Sequence, residues 1–209
     1  DRGRPYCCGR TYLSAGMLDE AAEEAQRTLA ALAPIARRGS WIVGLEPSCL
    51  YTLRDEFQAL LPGEDARVVA EHAVLLDEFL DREWVEGREL PFSSKSDNDQ
   101  SVFVHGHCHQ KAFGGMHASL SMLERAGRIP NLIESSCCGM AGAFGYHTEH
   151  YETSIQMGEL SLFPAVRETP PDAVIVANGT SCRAQIQDGT DRASVHTAVV
   201  LAEALEYRP

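Results

Sequence analysis

The sequence has no apolar run long enough to cross a bilayer; its longest runs are strand-sized, such as Ala173 to Ala177. It has no positively charged start followed by an apolar stretch, so no signal peptide is expected. It has no block of Lys or Arg. With 18 basic against 30 acidic residues its formal net charge is −12, which argues against wrapping nucleic acid or lying on anionic lipid. It has no C-x-x-C pair, which argues against a thioredoxin-type redox site, a two-knuckle zinc site and a ferredoxin fold. Nor does it have an even set of cysteines. Seven, in a chain of 209 residues able to stabilise itself by burial, do not make a secreted disulfide framework. Hydrophobic residues at 44% and charged residues at 23% exclude wholesale disorder.

The cysteines themselves are informative. They are Cys7, Cys8, Cys49, Cys108, Cys137, Cys138 and Cys182. Two pairs are sequence neighbours, and a disulfide between neighbours needs a strained ring. Reduced thiols in a cytosolic setting, binding metal or doing redox work, are the better reading. The cysteines also repeat. Cys7-Cys8-Gly9 recurs as Cys137-Cys138-Gly139, and Ser48-Cys49 as Ser181-Cys182. Each Ser-Cys follows a β-rich run, Trp41 to Leu45 or Val174 to Ala177. Further on, Leu75 to Leu80 resembles Val200 to Leu205. Four features in one order make two related modules, 1–95 and 96–209, joined in the polar stretch Pro91 to Gln100.

Periodicity places these residues on elements. Strands are expected at Ser101–His105, Asn131–Glu134 and Ala173–Ala177. Helices are expected at Gly115–Ala126, Glu149–Phe163 (stopped by Pro164) and Ser194–Leu205. The fold class is therefore α/β: two pseudo-repeated βα modules with parallel strands and right-handed crossovers. All carboxyl ends of such strands lie on one edge, where ligands bind. Cys108, Cys137, Cys138 and Cys182 follow the carboxyl ends of three different strands, so the topology gathers four thiols that are distant in sequence. The first module shows the same plan, with a helix at Leu18–Leu32, a strand before Cys49 and a helix near Val69–Leu80. The sequence begins at Asp1 rather than Met; a first strand and a counterpart of Cys108 are expected upstream, in a longer chain.

Converging thiolates hold zinc or an iron–sulfur cluster. The competing reading, small buried hydrophobes, fits a lone Cys better than seven in repeat register. Gly139, Gly142 and Gly145 allow a tight turn whose N–H groups donate to sulfur. They do not match the dinucleotide fingerprint; tight strand-to-helix packing is their plain alternative. His105, His107 and His109 flank Cys108 and share a parity, so all three face one way if the segment stays extended. His107 and His109, with Gly139, are the candidates for a ligand or for a hydrogen bond behind the thiols. Lys111 and Arg183 are placed to offset thiolate charge, or are ordinary surface cations. His72 and His196 sit near the starts of matching helices and suit capping.

The strings Glu46-Pro47-Ser48-Cys49, Gly106-His107-Cys108-His109-Gln110-Lys111, Ser136-Cys137-Cys138-Gly139-Met140-Ala141-Gly142 and Gly179-Thr180-Ser181-Cys182-Arg183 resemble the cysteine-rich CCG domain. That domain occurs in duplicate in one of the subunits of heterodisulfide reductase. It is also found in iron–sulfur subunits of glycolate oxidase, anaerobic glycerol-3-phosphate dehydrogenase and the lactate-utilisation complex. The strings look most similar to the carboxyl-terminal part of fused FAD/FMN-containing dehydrogenase and Fe–S oxidoreductases. The resemblance implies an electron-transfer module of a flavin-linked enzyme oxidising D-2-hydroxyacids such as D-lactate, glycolate or D-2-hydroxyglutarate. The implied cofactor is a [4Fe–4S] cluster on Cys108, Cys137, Cys138 and Cys182, with Cys7, Cys8 and Cys49 as a lesser site; zinc is admitted in an isolated piece. FAD would sit only in an upstream part.

The implied partners are upstream flavin and ferredoxin-like domains, of the same chain or of another subunit. The implied location is cytoplasmic, or peripheral to the inner membrane through partners. The piece is not expected to oxidise a hydroxyacid alone. Relatives whose motif ends in C-x-x-C differ here, because Glu46 and Gly179 occupy the first Cys positions. Two other readings stand beside this one: a structural zinc or interaction domain, and a thiol–disulfide (heterodisulfide) reducing site.

Overall fold

The computed structural model describes residues 3–93 and 100–206. The chain forms two compact units, residues 1–75 and 76–209.

In the first unit, α1 (Arg10–Ser14) leads into α2 (Leu18–Ala36). Ala21, Ala25, Leu29, Ala33 and Ala36 line the buried stripe of α2, and Asp19 and Glu20 favour its positive N-terminus. The helix runs past the expected Leu32 and through Pro34, which lies in its last turn. Next come β1 (Ile42–Gly44), α3 (Pro47–Arg54), α4 (Glu56–Leu60), α5 (Glu64–His72) and β2 (Ala73–Leu75). β2 pairs in parallel with β1, Ile42 beside Ala73 and Gly44 beside Leu75. The helix expected over Val69–Leu80 is thus interrupted by a strand. Ala73-Val74-Leu75 is a short apolar run, and such runs carry no period of their own. His72 consequently ends α5, its Nδ1 2.9 Å from Val68 O, and does not start a helix.

The second unit begins with α6 (Leu76–Val85) and β3 (Gln100–His105), followed by α7 (Cys108–Phe113), α8 (His117–Arg125) and β4 (Arg128–Leu132). A 3₁₀ turn, Phe144–Tyr146, precedes α9 (Tyr151–Glu159), α10 (Leu162–Arg167) and β5 (Val174–Ala177). The unit closes with α11 (Thr180–Thr190), β6 (Ser194–Val195) and α12 (Thr197–Ala204). All pairings in the sheet are parallel, in the order β4-β3-β5-β6. Strand alternation divides the core. Val102, Val104 and Val176 face α6, α8 and α12, whereas Ile175 and Ala177 face α9, α10 and α11, with Phe103 packed beside them. The winding reverses between β3 and β5, and a crevice opens beyond the strand ends at such a reversal.

Three local expectations change. The helix expected from Ser194 starts at Thr197, because Ser194-Val195 forms β6 beside β5. The helix expected over Glu149–Phe163 is two, α9 and α10. Pro164 lies in the first turn of α10, where a missing N–H costs no helical bond. β4 begins earlier than expected, at Arg128. By compactness the chain divides at Leu75–Leu76, and residues 94–99 of the expected join lie outside the described residues.

The reason is a buried polar network. The Asp77 carboxylate, on the first turn of α6, accepts from Ser119 Oγ, from Asn178 Nδ2 at 3.1 Å and from the Glu78 N–H at 3.0 Å. Gln110 Nε2 donates to Ser119 Oγ at 2.8 Å, and the Thr197 N–H donates to Asn178 Oδ1 at 3.1 Å. Burial pushes the Asp77 carboxyl up, against the hydrogen bonds that favour its charge. These bonds fasten α6 to α8, to the end of β5 and to the start of α12. The Ser93 N–H to Ala204 O bond, 2.8 Å, fastens the following stretch to the same unit.

Candidate metal centre

Three strand ends supply the thiols of the second unit. β3 ends at His105, and two residues later Cys108 opens α7. β4 ends at Leu132, and the loop beyond carries Cys137 and Cys138. β5 ends at Ala177, and Cys182 lies in the first turn of α11. The crevice collects all four, as the topology requires. Cys108 is in hydrogen-bond contact with Cys137, Cys137 with Cys138, and Cys138 with Cys182. Cys138 and Cys182 are 5% and 2% exposed, and all seven cysteines of the chain are free thiols.

So many sulfurs cannot all ionise side by side without a cation. Cys137, accepting from Cys108, is lowered and Cys108 is raised; burial adds to the rise. Cys138 is raised by Cys137 and Cys182. Cys182 is held well below the usual thiol range, first by Cys138 and then by the His105 imidazole, against the cost of burial. A thiolate-rich donor set of this kind suits a soft or borderline metal, which relieves the crowding by binding every sulfur in its charged form. The residues present therefore fit zinc or an iron–sulfur cluster.

The loop that presents Cys137 is fixed by its glycine. Gly139 has φ +98°, and its N–H donates to Cys137 Sγ at 3.3 Å. A Cβ there would lie 2.1 Å from the Ser154 carbonyl oxygen of α9. The first unit repeats this turn: Gly9 has φ +74°, its N–H donates to Cys7 Sγ at 3.4 Å, and a Cβ would lie 3.2 Å from Ala21 O of α2. In that unit Cys8 and Cys49 share a hydrogen bond that raises Cys8 and lowers Cys49. The repeat is thus carried by backbone conformation as well as by letters. No described strand precedes Cys7, and Cys7 and Cys49 are exposed.

The histidines separate. His107 is still extended, with its Nδ1 4.0 Å from Cys108 Sγ, and α7 begins at Cys108, so the shared parity is lost at His109. His107 caps α7, its Nδ1 accepting from the His109 N–H at 3.2 Å, and its ring meets that of His109 edge-on at 5.2 Å. His107 also stands where Gly179 leaves space. A Cβ on Gly179 would lie 2.6 Å from His107 Cδ2 and 3.1 Å from Cys182 Sγ, so a cysteine has no room there. His105 alone continues the strand alternation, on the face shared by Phe103, and it is the histidine grouped with Cys138 and Cys182. Sequence parity pointed equally to all three, although the expected strand Ser101–His105 ends where β3 does. His196 caps α12, its Nδ1 accepting from the Ala198 N–H at 2.9 Å, as expected.

Two cations hold the loops. Lys111 Nζ donates to the carbonyls of Ser135 and Ser136, the latter at 2.7 Å, directly before Cys137. Arg183 closes the end of β5 through Ala177 O at 2.9 Å and Asn178 O at 2.8 Å.

Comparison with known proteins agrees with this geometry. Residues 104–187 match the family model of the CCG cysteine-rich domain, a span holding all four thiols of the second unit. The chain is 29% identical over 204 residues to a subunit of the anaerobic glycerol-3-phosphate dehydrogenase of Escherichia coli (strain K12), covering 95% of this chain and 49% of that protein. It is 28% identical over 200 residues to D-2-hydroxyglutarate dehydrogenase of the same organism, covering 95% of this chain and 19% of that protein. A D-2-hydroxyglutarate dehydrogenase of Haemophilus influenzae is 25% identical over 202 residues. The chain spans about half the length of the first of these relatives and about a fifth of the others. No solved structure matches. Among the described residues no helix is long and apolar enough to cross a membrane. Four thiols gathered at the strand ends, a glycine turn beneath the Cys-Cys pair and the family match together place residues 104–187 in the CCG cysteine-rich domain family.

Proposed function

We propose that the chain is the electron-transfer module of a dehydrogenase, with an iron–sulfur centre in its second unit on Cys108, Cys137, Cys138 and Cys182. The observation that carries this reading is the convergence of four free thiols at one sheet edge, within the span that matches the CCG domain. Bound there, a cluster takes up and releases one electron at a time. The chain's own residues do the rest. Gly139 N–H donates to Cys137 sulfur, burial of Cys138 and Cys182 excludes water, and Lys111 and Arg183 fix the loops and set positive charge near a thiolate-rich site. Four cysteines suit a [4Fe–4S] cluster, the type proposed, as they also suit [2Fe–2S].

The dehydrogenase served would oxidise a secondary alcohol beside an anionic group through a flavin held upstream, on the same chain or on another subunit. A D-2-hydroxyacid is the leading substrate class. Glycerol-3-phosphate is the second, favoured by the larger share of that relative covered. Cys7, Cys8 and Cys49 are proposed as a lesser site of the same kind.

The test is metal and acid-labile sulfide content, with EPR, on protein prepared and reconstituted without oxygen. Roughly four iron and four sulfide per second unit, reducible by dithionite, are expected. About one zinc and no sulfide, persisting after reconstitution, would leave a structural role only. Thiol-dependent turnover of a disulfide by the reconstituted protein would favour the disulfide-reducing reading. A second expectation concerns Lys111. Lys111→Met frees the Ser135 and Ser136 carbonyls and removes a positive charge, so the centre should be lost faster to a chelator and show a lower reduction potential. Unchanged values for both would assign Lys111 to the surface.

A further inference from the structure

We propose that Nε2 of His105 is a metal ligand beside Cys138 and Cys182, giving the second unit a mixed donor set of one imidazole with thiolates. This rests on the reading of the second unit as a metal centre and adds a donor to it. A ring nitrogen of His105 and the sulfurs of Cys138 and Cys182 all lie within 4.8 Å of one another, and all three residues are buried. Nδ1 is engaged, 2.8 Å from Ser135 Oγ. The nitrogen turned to the sulfurs is therefore Nε2, which is buried and has no hydrogen-bond partner.

A histidine that donates through one ring nitrogen to a neighbour, and keeps the other nitrogen bare toward soft donors, has the arrangement of a metal ligand. In the tautomer that carries its proton on Nδ1, the hydroxyl of Ser135 accepts from it and Nε2 is left to bind a metal. Bond lengths of about 2.3 Å to sulfur and about 2.0–2.1 Å to nitrogen set tetrahedral ligand atoms roughly 3.5–3.8 Å apart. The three donors reach that spacing by closing about 1 Å around an ion. Imidazole replaces thiolate on one iron in some natural clusters, and it raises their potential. The fold supplies no extra thiol at this end of the crevice, because His107 closes the space beside Gly179. His105 ends β3, a central strand paired with both β4 and β5, and is 1% exposed, as buried as the cysteines it faces.

The experiment uses the full chain, prepared without oxygen and loaded with Co²⁺, which reports ligand atoms whatever the native metal. Wild type is expected to show thiolate-to-cobalt absorption together with a ¹⁴N coupling in pulsed EPR, turning to ¹⁵N in protein labelled at histidine. His105→Leu should keep thiolate bands, lose the nitrogen coupling and bind Co²⁺ at least about 10-fold more weakly, as loss of a ligand or its support does. Ser135→Ala keeps the ring and should retain the coupling at reduced affinity, which covers the case in which His105→Leu does not fold. His107→Leu and His109→Leu should retain the coupling.

Wild type that binds Co²⁺ with no nitrogen coupling, a coupling that survives His105→Leu, or no Co²⁺ binding at all would overturn the proposal. The outcome separates from that of the electron-transfer reading. Nitrogen coupling to Co²⁺ with no iron–sulfide uptake sinks the cluster and keeps the ligand; an iron–sulfur signal without nitrogen coupling does the reverse.

Discussion

Cys138→Ser is expected to strip the second unit of its iron and sulfide while leaving the polypeptide folded. Cys138 is 5% exposed and lies between Cys137 and Cys182, in contact with both sulfurs. Serine keeps nearly the same volume, so the cavity term is small; a harder oxygen replaces the soft donor that iron prefers. Unfolding free energy of the metal-free protein should shift by no more than about 1 kcal/mol, whereas iron, sulfide and visible absorption should fall to background. The matched change in the first unit, Cys8→Ser, should leave that centre intact. Full iron and sulfide in Cys138→Ser would remove this residue from the ligand set.

Gly139→Ala should be the most destabilising single-methyl change in the second unit. The left-handed backbone costs an alanine roughly 1–2 kcal/mol. Here the new carbon also meets Ser154 O at 2.1 Å, a backbone atom of α9 that cannot rotate away. Overpacking of this sort adds roughly 1–3 kcal/mol, so a total near 3–5 kcal/mol is expected from a domain whose whole stability is about 5–15 kcal/mol. Gly9→Ala is the internal control. Its carbon would stand 3.2 Å from Ala21 O, a milder contact, so a smaller loss dominated by the backbone term of about 1–2 kcal/mol is expected. Urea unfolding of the two variants measures the difference. Equal losses would mean that α9 yields to the methyl and that the close approach is not rigid.

Both substitutions act at positions that the sequence marks by repetition. Cys7-Cys8-Gly9 and Cys137-Cys138-Gly139 are legible as a motif, and in the structure they share one turn and one N–H to sulfur bond. What no letter states is that a Cβ on Gly139 would stand about an ångström closer to its neighbouring helix than one on Gly9. That distance depends on how α9 docks, which is a tertiary matter.

The sequence by itself determined the α/β class, the parallel strands and the gathering of Cys108, Cys137, Cys138 and Cys182. Strand–helix alternation forces crossovers of one hand, and those place every carboxyl end on one edge. Only the tertiary structure decided where local signals compete. Ala73-Val74-Leu75 became a strand because β1 offered a parallel partner. α6 joined the second unit because the buried Asp77 carboxylate needed donors that Ser119 and Asn178 provide. Of three alternate histidines, the expected strand end at His105 held, while the fold turned His107 into a helix cap and grouped His105 with Cys138 and Cys182. Periodicity reports a residue's side within an element; which elements pair and which side chains meet is set by contacts with distant parts of the chain.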